Sequence, residues 1–179
     1  MNQPEPILVA PLFRDLGRHL VTFLRGLQAD DIQNQKSSSL RNVKDNAAHL
    51  LDGSVRRLSL QRDGYAAPGG PQNITSHEEL MAQLNRWNAE WTTALRRLSP
   101  RVLIEWIEQA DLELAELFES LDPFAPALFA VAWAGEAESA NWFDVAREYT
   151  EKWHHQQQIY EAVGQESPLT QRELYFPCL

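Results

Sequence analysis

An internal disulfide is ruled out at once, because the chain has a single cysteine, Cys178. One cysteine cannot close an internal bridge, and such sparing use fits a reducing cytoplasm, the expected location. A basic surface is missing too: Lys and Arg number 16 against 25 Asp and Glu, for a net charge of −9. Only the short pairs Arg56-Arg57 and Arg96-Arg97 gather positive charge. That is too little to track a phosphate backbone, so nucleic acid is not expected as a partner. No apolar run approaches ~18 residues, so no membrane span is expected. The first helical stretch begins with Pro and Glu and interrupts its apolar pattern with charges, so it does not read as a signal peptide. Alternating strand patterns flanking Asn-Gly or Asp-Gly are absent, as is any repeat with a period of ~20–50 residues. There is no Gly-x-x-x-x-Gly-Lys-Ser/Thr loop, no Gly-x-Ser-x-Gly elbow and no His-Glu-x-x-His. Cys178 lies beside the C-terminus and is not expected to be a nucleophile.

What remains is a chain of 179 residues, 44% of them hydrophobic, enough for one domain with a full core. The expected domain is 1–179, with a core over about 7–164 and a tail over 165–179. The first helix reads from about Ile7 to Gln28, with Leu8, Leu12, Leu16, His19, Phe23 and Leu27 at steps of three and four. Asp30 to Ser39 reads as a loop. Asn42 can cap a second helix, with Asp45 in its first turn, running to about Arg62. Ala66-Ala67-Pro68-Gly69-Gly70-Pro71 is a breaker.

Ser76 and Glu79 form a capping-box pattern opening a third helix, whose apolar stripe is Leu80, Leu84, Trp87, Trp91 and Leu95. At Ser99-Pro100 this helix must break or kink, and a new one can begin with Ser99 as cap and Pro100 in the first turn. Asp122 to Gly135 reads as a short helix or a packed connection. The last long helix runs from about Asn141 to Val163, ended by Gly164. Amphipathic helices joined by loops argue for an all-α protein, a helical bundle. The tryptophans, including Trp106, Trp142 and Trp153, are expected mostly in the core.

The chemistry concentrates in Glu148 to Ile159. Glu151 and His155 stand four apart, so on a helix they share a face and can offer two ligands to one metal. His49 is the candidate third ligand. Adjacent helical residues point ~100° apart, so His154 is expected at the surface or behind the ligands rather than among them. His19 reads as a packed core histidine, and His77 has no assigned role.

A helical wheel leaves two readings open. Asp144, Glu148, Glu151, His155 and Gln158 fall opposite the apolar stripe of the last helix, and His49 shares a polar face with Asp45, Asp52 and Arg56. Both faces could simply be solvated, or they could line a cleft between the second and last helices.

Leu12-Phe13 through Leu27, followed by Val43-Lys44-Asp45-Asn46-Ala47-Ala48-His49-Leu50, resembles the opening of a DinB-like metalloenzyme domain. That family's pattern is Trp-x-Val-x-Asp-x-x-x-His-Leu. Val43, Asp45, His49 and Leu50 match it, and the tryptophan position falls at Leu40 or Arg41. Glu151-Lys152-Trp153-His154-His155 resembles the closing motif of one branch, the N-terminal metal-binding domain of mycothiol-dependent maleylpyruvate isomerase. The Trp133 region and Gly164 also resemble that branch. The similarity spans about residues 8 to 164.

The resemblance implies a four-helix bundle of the DinB-like type holding a divalent metal through His49, Glu151 and His155, zinc first, with nickel, manganese or iron as alternatives. It implies use of a low-molecular-weight thiol such as mycothiol or bacillithiol as co-substrate, against an electrophilic small molecule. The isomerase carries a further C-terminal domain that contributes to activity, so isomerisation of maleylpyruvate itself is not expected of this chain. The function expected is a metal-dependent thiol transferase or related enzyme, with Asp45, Asp52 and Gln158 supporting the ligands and a homodimer as the assembly. Two other readings stand beside it: a non-catalytic metal-binding protein of stress response, and a metal-assisted hydrolase.

Overall fold

The chain folds, in a computed structural model, into α1 (Leu12–Gly26), α2 (Ala29–Ile32), α3 (Val43–Arg57), α4 (His77–Leu95), α5 (Pro100–Ser120), α6 (Asn141–Val163) and α7 (Arg172–Tyr175). The structure describes residues 5–33, 41–66, 76–130 and 138–178. Among these there is no strand, and the protein is all-α.

Helix starts follow the side chains able to accept an orphan backbone N–H. Asn42 accepts from the Asp45 amide at 2.8 Å. Ser76 accepts from Glu79 at 3.1 Å and Ser99 from Val102 at 3.3 Å, with Pro100 in the first turn of α5. Gly164 ends α6 in the left-handed conformation at φ 67°, where a side chain would be strained. α3 does not stop at Arg57. It widens into a π-helical turn over Leu58–Arg62, so the element extends as far as its periodicity predicts but with changed winding.

α1, α3, α5 and α6 share the core, and α4 packs along α3. Leu20, Val43, Leu51, Ile107 and Ile159 are buried at one end. Phe13, Leu16, Leu114, Phe118 and Tyr149 are buried at the other, where Phe13 meets Phe118 edge-on at 4.8 Å. Each such aliphatic or aromatic burial contributes on the order of 1.5–3 kcal/mol. No helix among the described residues is long and apolar enough to cross a membrane.

The first helix begins at Leu12, not Ile7. Pro11 caps it, and Ile7 and Leu8 are exposed, so the apolar spacing there continues past the helix without a core to meet. The expected Asp30–Ser39 loop opens with α2, held by a reciprocal cap between Gln28 and Asp31. Residues 122–130 form turns and bends rather than a helix, and Phe124 is exposed. Residues 131–137, with Trp133 and Gly135, lie outside the described residues, as do 34–40 and 67–75.

Trp106 is half exposed and none of the other described tryptophans is fully buried; His19 is half-buried. The tail is more ordered than its weak periodicity suggests. Leu169 and Leu174 are buried against α6, and their carbonyls accept from Trp153 Nε1 and Tyr149 Oη, both at 2.9 Å.

Candidate functional site

The two polar faces left open by the wheel meet. α3 and α6 run antiparallel, with Arg57 at the end of α3 against Asp144 at the start of α6 and His49, midway along α3, against His155 in the second half of α6. Their Nε2 atoms stand 3.2 Å apart, with rings nearly perpendicular and centroids 4.5 Å apart. Both are half-buried. Burial pushes the His49 pKa down to about 3, helped by the cations Arg41 and Arg56 and by His155. Burial lowers His155 as well, against the hydrogen bond it donates to Gln158 and the charge of Glu151. Both rings are therefore neutral near neutral pH and keep a lone pair for a ligand.

Gln158 fixes which lone pair. Its Oε1 accepts from His155 Nδ1 at 2.8 Å, which puts the ring proton on Nδ1 and leaves Nε2 bare toward His49. The same amide donates through Nε2 to His154 at 3.1 Å. His154 is exposed and stands behind His155, not beside His49. His49 Nδ1 is buried and has no hydrogen-bond partner. Glu151 completes the group loosely: its Oε2 lies 4.0 Å from His155 Nε2, and its side chain is 69% exposed.

Among the described residues no three His, Cys, Asp or Glu side chains close into a ready cluster of metal ligands. Two converge and the third, Glu151, is an outer arm on a flexible stem. The spacing of the two is nevertheless that of a chelating pair. Nitrogens each ~2.0–2.1 Å from a tetrahedral ion stand roughly 3.3 Å apart. Two imidazoles and one carboxylate are also a donor set that leaves one position of a tetrahedral ion open, so the residues fit a divalent metal.

The other expected supporters fall differently. Asp45 is buried, but its carboxylate pairs with Arg96 at 2.6 Å rather than with a histidine. Asp52 is buried a turn beyond His49, 3.1 Å from Arg56 Nε, and burial raises its pKa against that cation. Sequence reading did not single out the residues that fill the middle of the α3–α6 interface. Lys152 Nζ donates to Asp111 Oδ1 at 2.6 Å, and Ser54 Oγ donates to the same oxygen at 2.7 Å. Arg57 pairs with Asp144, both almost wholly buried. Nothing in the α6 pattern reports Asp111, because it arrives from α5.

No family model, curated protein or solved structure matches the chain.

Proposed function

We propose that the protein is a DinB-like four-helix bundle that binds one divalent ion, zinc first, through His49, His155 and Glu151. The proposal further assigns it as a metal-dependent transferase acting with a low-molecular-weight thiol. The observation that carries the metal reading is the 3.2 Å approach of two imidazole nitrogens from separate helices. With His155 Nε2 bare, the metal-free rings share one N–H···N hydrogen bond donated by His49, and a cation taken between them would replace that proton and move it to His49 Nδ1, which is buried without a partner. The resemblance of the two ligand-bearing motifs to thiol-using relatives supports the thiol. A bound ion would lower the pKa of a thiol at its open position. The protein's own contribution is to hold His155 in one tautomer through Gln158 and to keep both rings neutral by burial.

Metal content after purification tests the reading. His49→Ala, His155→Ala and Glu151→Gln should each lose the ion, since three protein donors cannot spare one. His154→Ala and His77→Ala should retain it. Full occupancy in His49→Ala would remove α3 from the site and sink the proposal. On cobalt-loaded protein, a small thiol should shift the visible spectrum. A spectrum indifferent to thiols, with metal still bound, would favour the hydrolytic reading.

A further inference from the structure

A cavity of about 310 Å³ lies between the second half of α6 and the tail that follows it. His154, Gln157, Gln158 and Glu161 line it from successive turns of α6, and Ser167 and Thr170 line it from the tail. The tail side is held in place: Leu169, between those two residues, is fully buried, and its carbonyl accepts from Trp153 Nε1 at 2.9 Å. Among the described residues no Lys or Arg lines the cavity, and its one carboxylate, Glu161, belongs to an exposed residue. The rest are uncharged groups with hydrogen bonds left to make. Ser167 Oγ accepts from the Leu169 amide at 3.2 Å, so its own proton remains to donate. Thr170 Oγ1 donates to the Ser167 carbonyl at 2.9 Å, so its lone pairs remain to accept. Gln158 gives Oε1 to His155 and one N–H to His154, which leaves its second N–H. Gln157 Nε2 is covered from solvent and has no hydrogen-bond partner. A donor in that state is costly, and an acceptor brought against it would relieve the cost. Gln157, Gln158 and Glu161 span about 6 Å along the helix, the size of one sugar ring. Neutral donors and acceptors this close together suit a molecule whose every hydroxyl both donates and accepts. An anion would meet Glu161 and no cation, and an apolar ligand would strand the amides.

We propose that this cavity binds one ring of an uncharged polyhydroxyl molecule, a monosaccharide unit. Gln157, Gln158 and Ser167 donate to its hydroxyls, and Thr170 accepts from them. Neither His49 nor His155 lines the cavity, so the site stands apart from the metal reading and does not rest on it.

Nuclear magnetic resonance of the full chain, following the glutamine side-chain amides and the Thr170 backbone amide, tests this directly. Glucose, galactose, mannose and N-acetylglucosamine are added in turn. At least one should shift these signals saturably in the millimolar range. Glycerol, which carries hydroxyls without a ring to hold them in place, should bind at least about tenfold more weakly. Gln157→Leu should weaken the sugar about three- to tenfold, the worth of one hydrogen bond. Thr170→Val, at an exposed position, should weaken it by a similar factor, and it decides the matter if Gln157→Leu loses its helical circular dichroism. No saturable shift with any of the four sugars, equal binding of glycerol, or full affinity in the folded cavity variants would overturn the proposal. His49→Ala should keep sugar binding while losing metal, so the two readings fail separately.

Discussion

The interface between α3 and α6 is polar along its length, yet its two halves are built on opposite terms. In the middle and toward the start of α6, charges are paired: Lys152 with Asp111 and Ser54, Arg57 with Asp144, the guanidinium also lying over Phe118 and Phe129. At the other end, His49 and His155 share a single contact between two neutral rings, His49 Nδ1 is buried without a partner, and Glu151 reaches only His155. Burial alone therefore does not mark a functional site here. The fully buried charges read as structure because they are matched, and the half-buried groups read as chemistry because they are not.

The largest effects should come from breaking the matched half. Removing one partner of a buried ion pair strands the other, a cost of about 3–5 kcal/mol. Arg57→Leu and Lys152→Met should each lower unfolding free energy by that order in urea titration, with the helical signal intact in water. The double change Lys152→Met with Asp111→Leu should recover most of the loss, because no charge is left unpaired. Metal content per folded molecule should not change in Arg57→Leu, since Arg57 sits at the far end of the interface. Parallel loss of metal would erase the distinction between the two halves.

That distinction is also where sequence reading ran out. The caps at Asn42, Ser76 and Ser99 and the stop at Gly164 were legible because each is a local event, decided by one side chain and a backbone within three residues of it. The i to i+4 relation of Glu151 and His155 was legible for the same reason. Which polar faces are covered is not local. A wheel places Asp144 and His155 on one side of α6 but cannot say that Asp111 from α5 will reach Lys152, or that α3 will close over both. The apolar stripe of α4 shows the converse: Leu80, Leu84, Trp87 and Trp91 are spaced for a core yet only half-buried, because α4 packs mainly along α3, at the margin of the bundle. Leu169 and Leu174 are buried without any helical period, by a tail that docks through two side chains of α6. Ser167-Pro168 repeats the Ser-Pro start seen at Ser99-Pro100, with Ser167 accepting from the Leu169 amide, and was the one readable sign of order there.

An intermediate effect should follow from loosening the unmatched half without removing a ligand. Gln158 touches no metal, but it sets the His155 tautomer. Partners of this kind are typically worth about 10–100-fold in metal affinity. Gln158→Ala should lower affinity within that range by competition with a chromophoric chelator, and Gln158→Glu should restore part of it, because a carboxylate still accepts from Nδ1. A Gln158→Ala protein with unchanged affinity would mean that packing alone orients the ring.

The smallest effect is a slope, and it separates the histidine end from the rest by its sign. His49 is pushed by burial to about 3 in the folded protein, against about 6.5 when unfolded. Between those values the unfolded chain binds a proton that the folded ring refuses. Stability from His49 is thus fully present above about 6.5 and is lost as pH falls toward the folded value, by at most about 1.4 kcal/mol per pH unit. Asp52 and Glu148 act the other way. Their folded pKa values are raised by burial, so the folded state holds protons there that the unfolded chain releases, and acidification relieves rather than strains the fold. The two trends oppose each other in the wild-type curve, so only a difference isolates the histidine. Unfolding of the metal-free protein and of His49→Asn should be compared at several pH values between about 6.5 and 4.5. The variant lacks the titrating ring and should lose stability less steeply on acidification, with the gap closing above about 7. Parallel curves would show that His49 accepts a proton in the folded state, and then the ring is not kept neutral for a ligand.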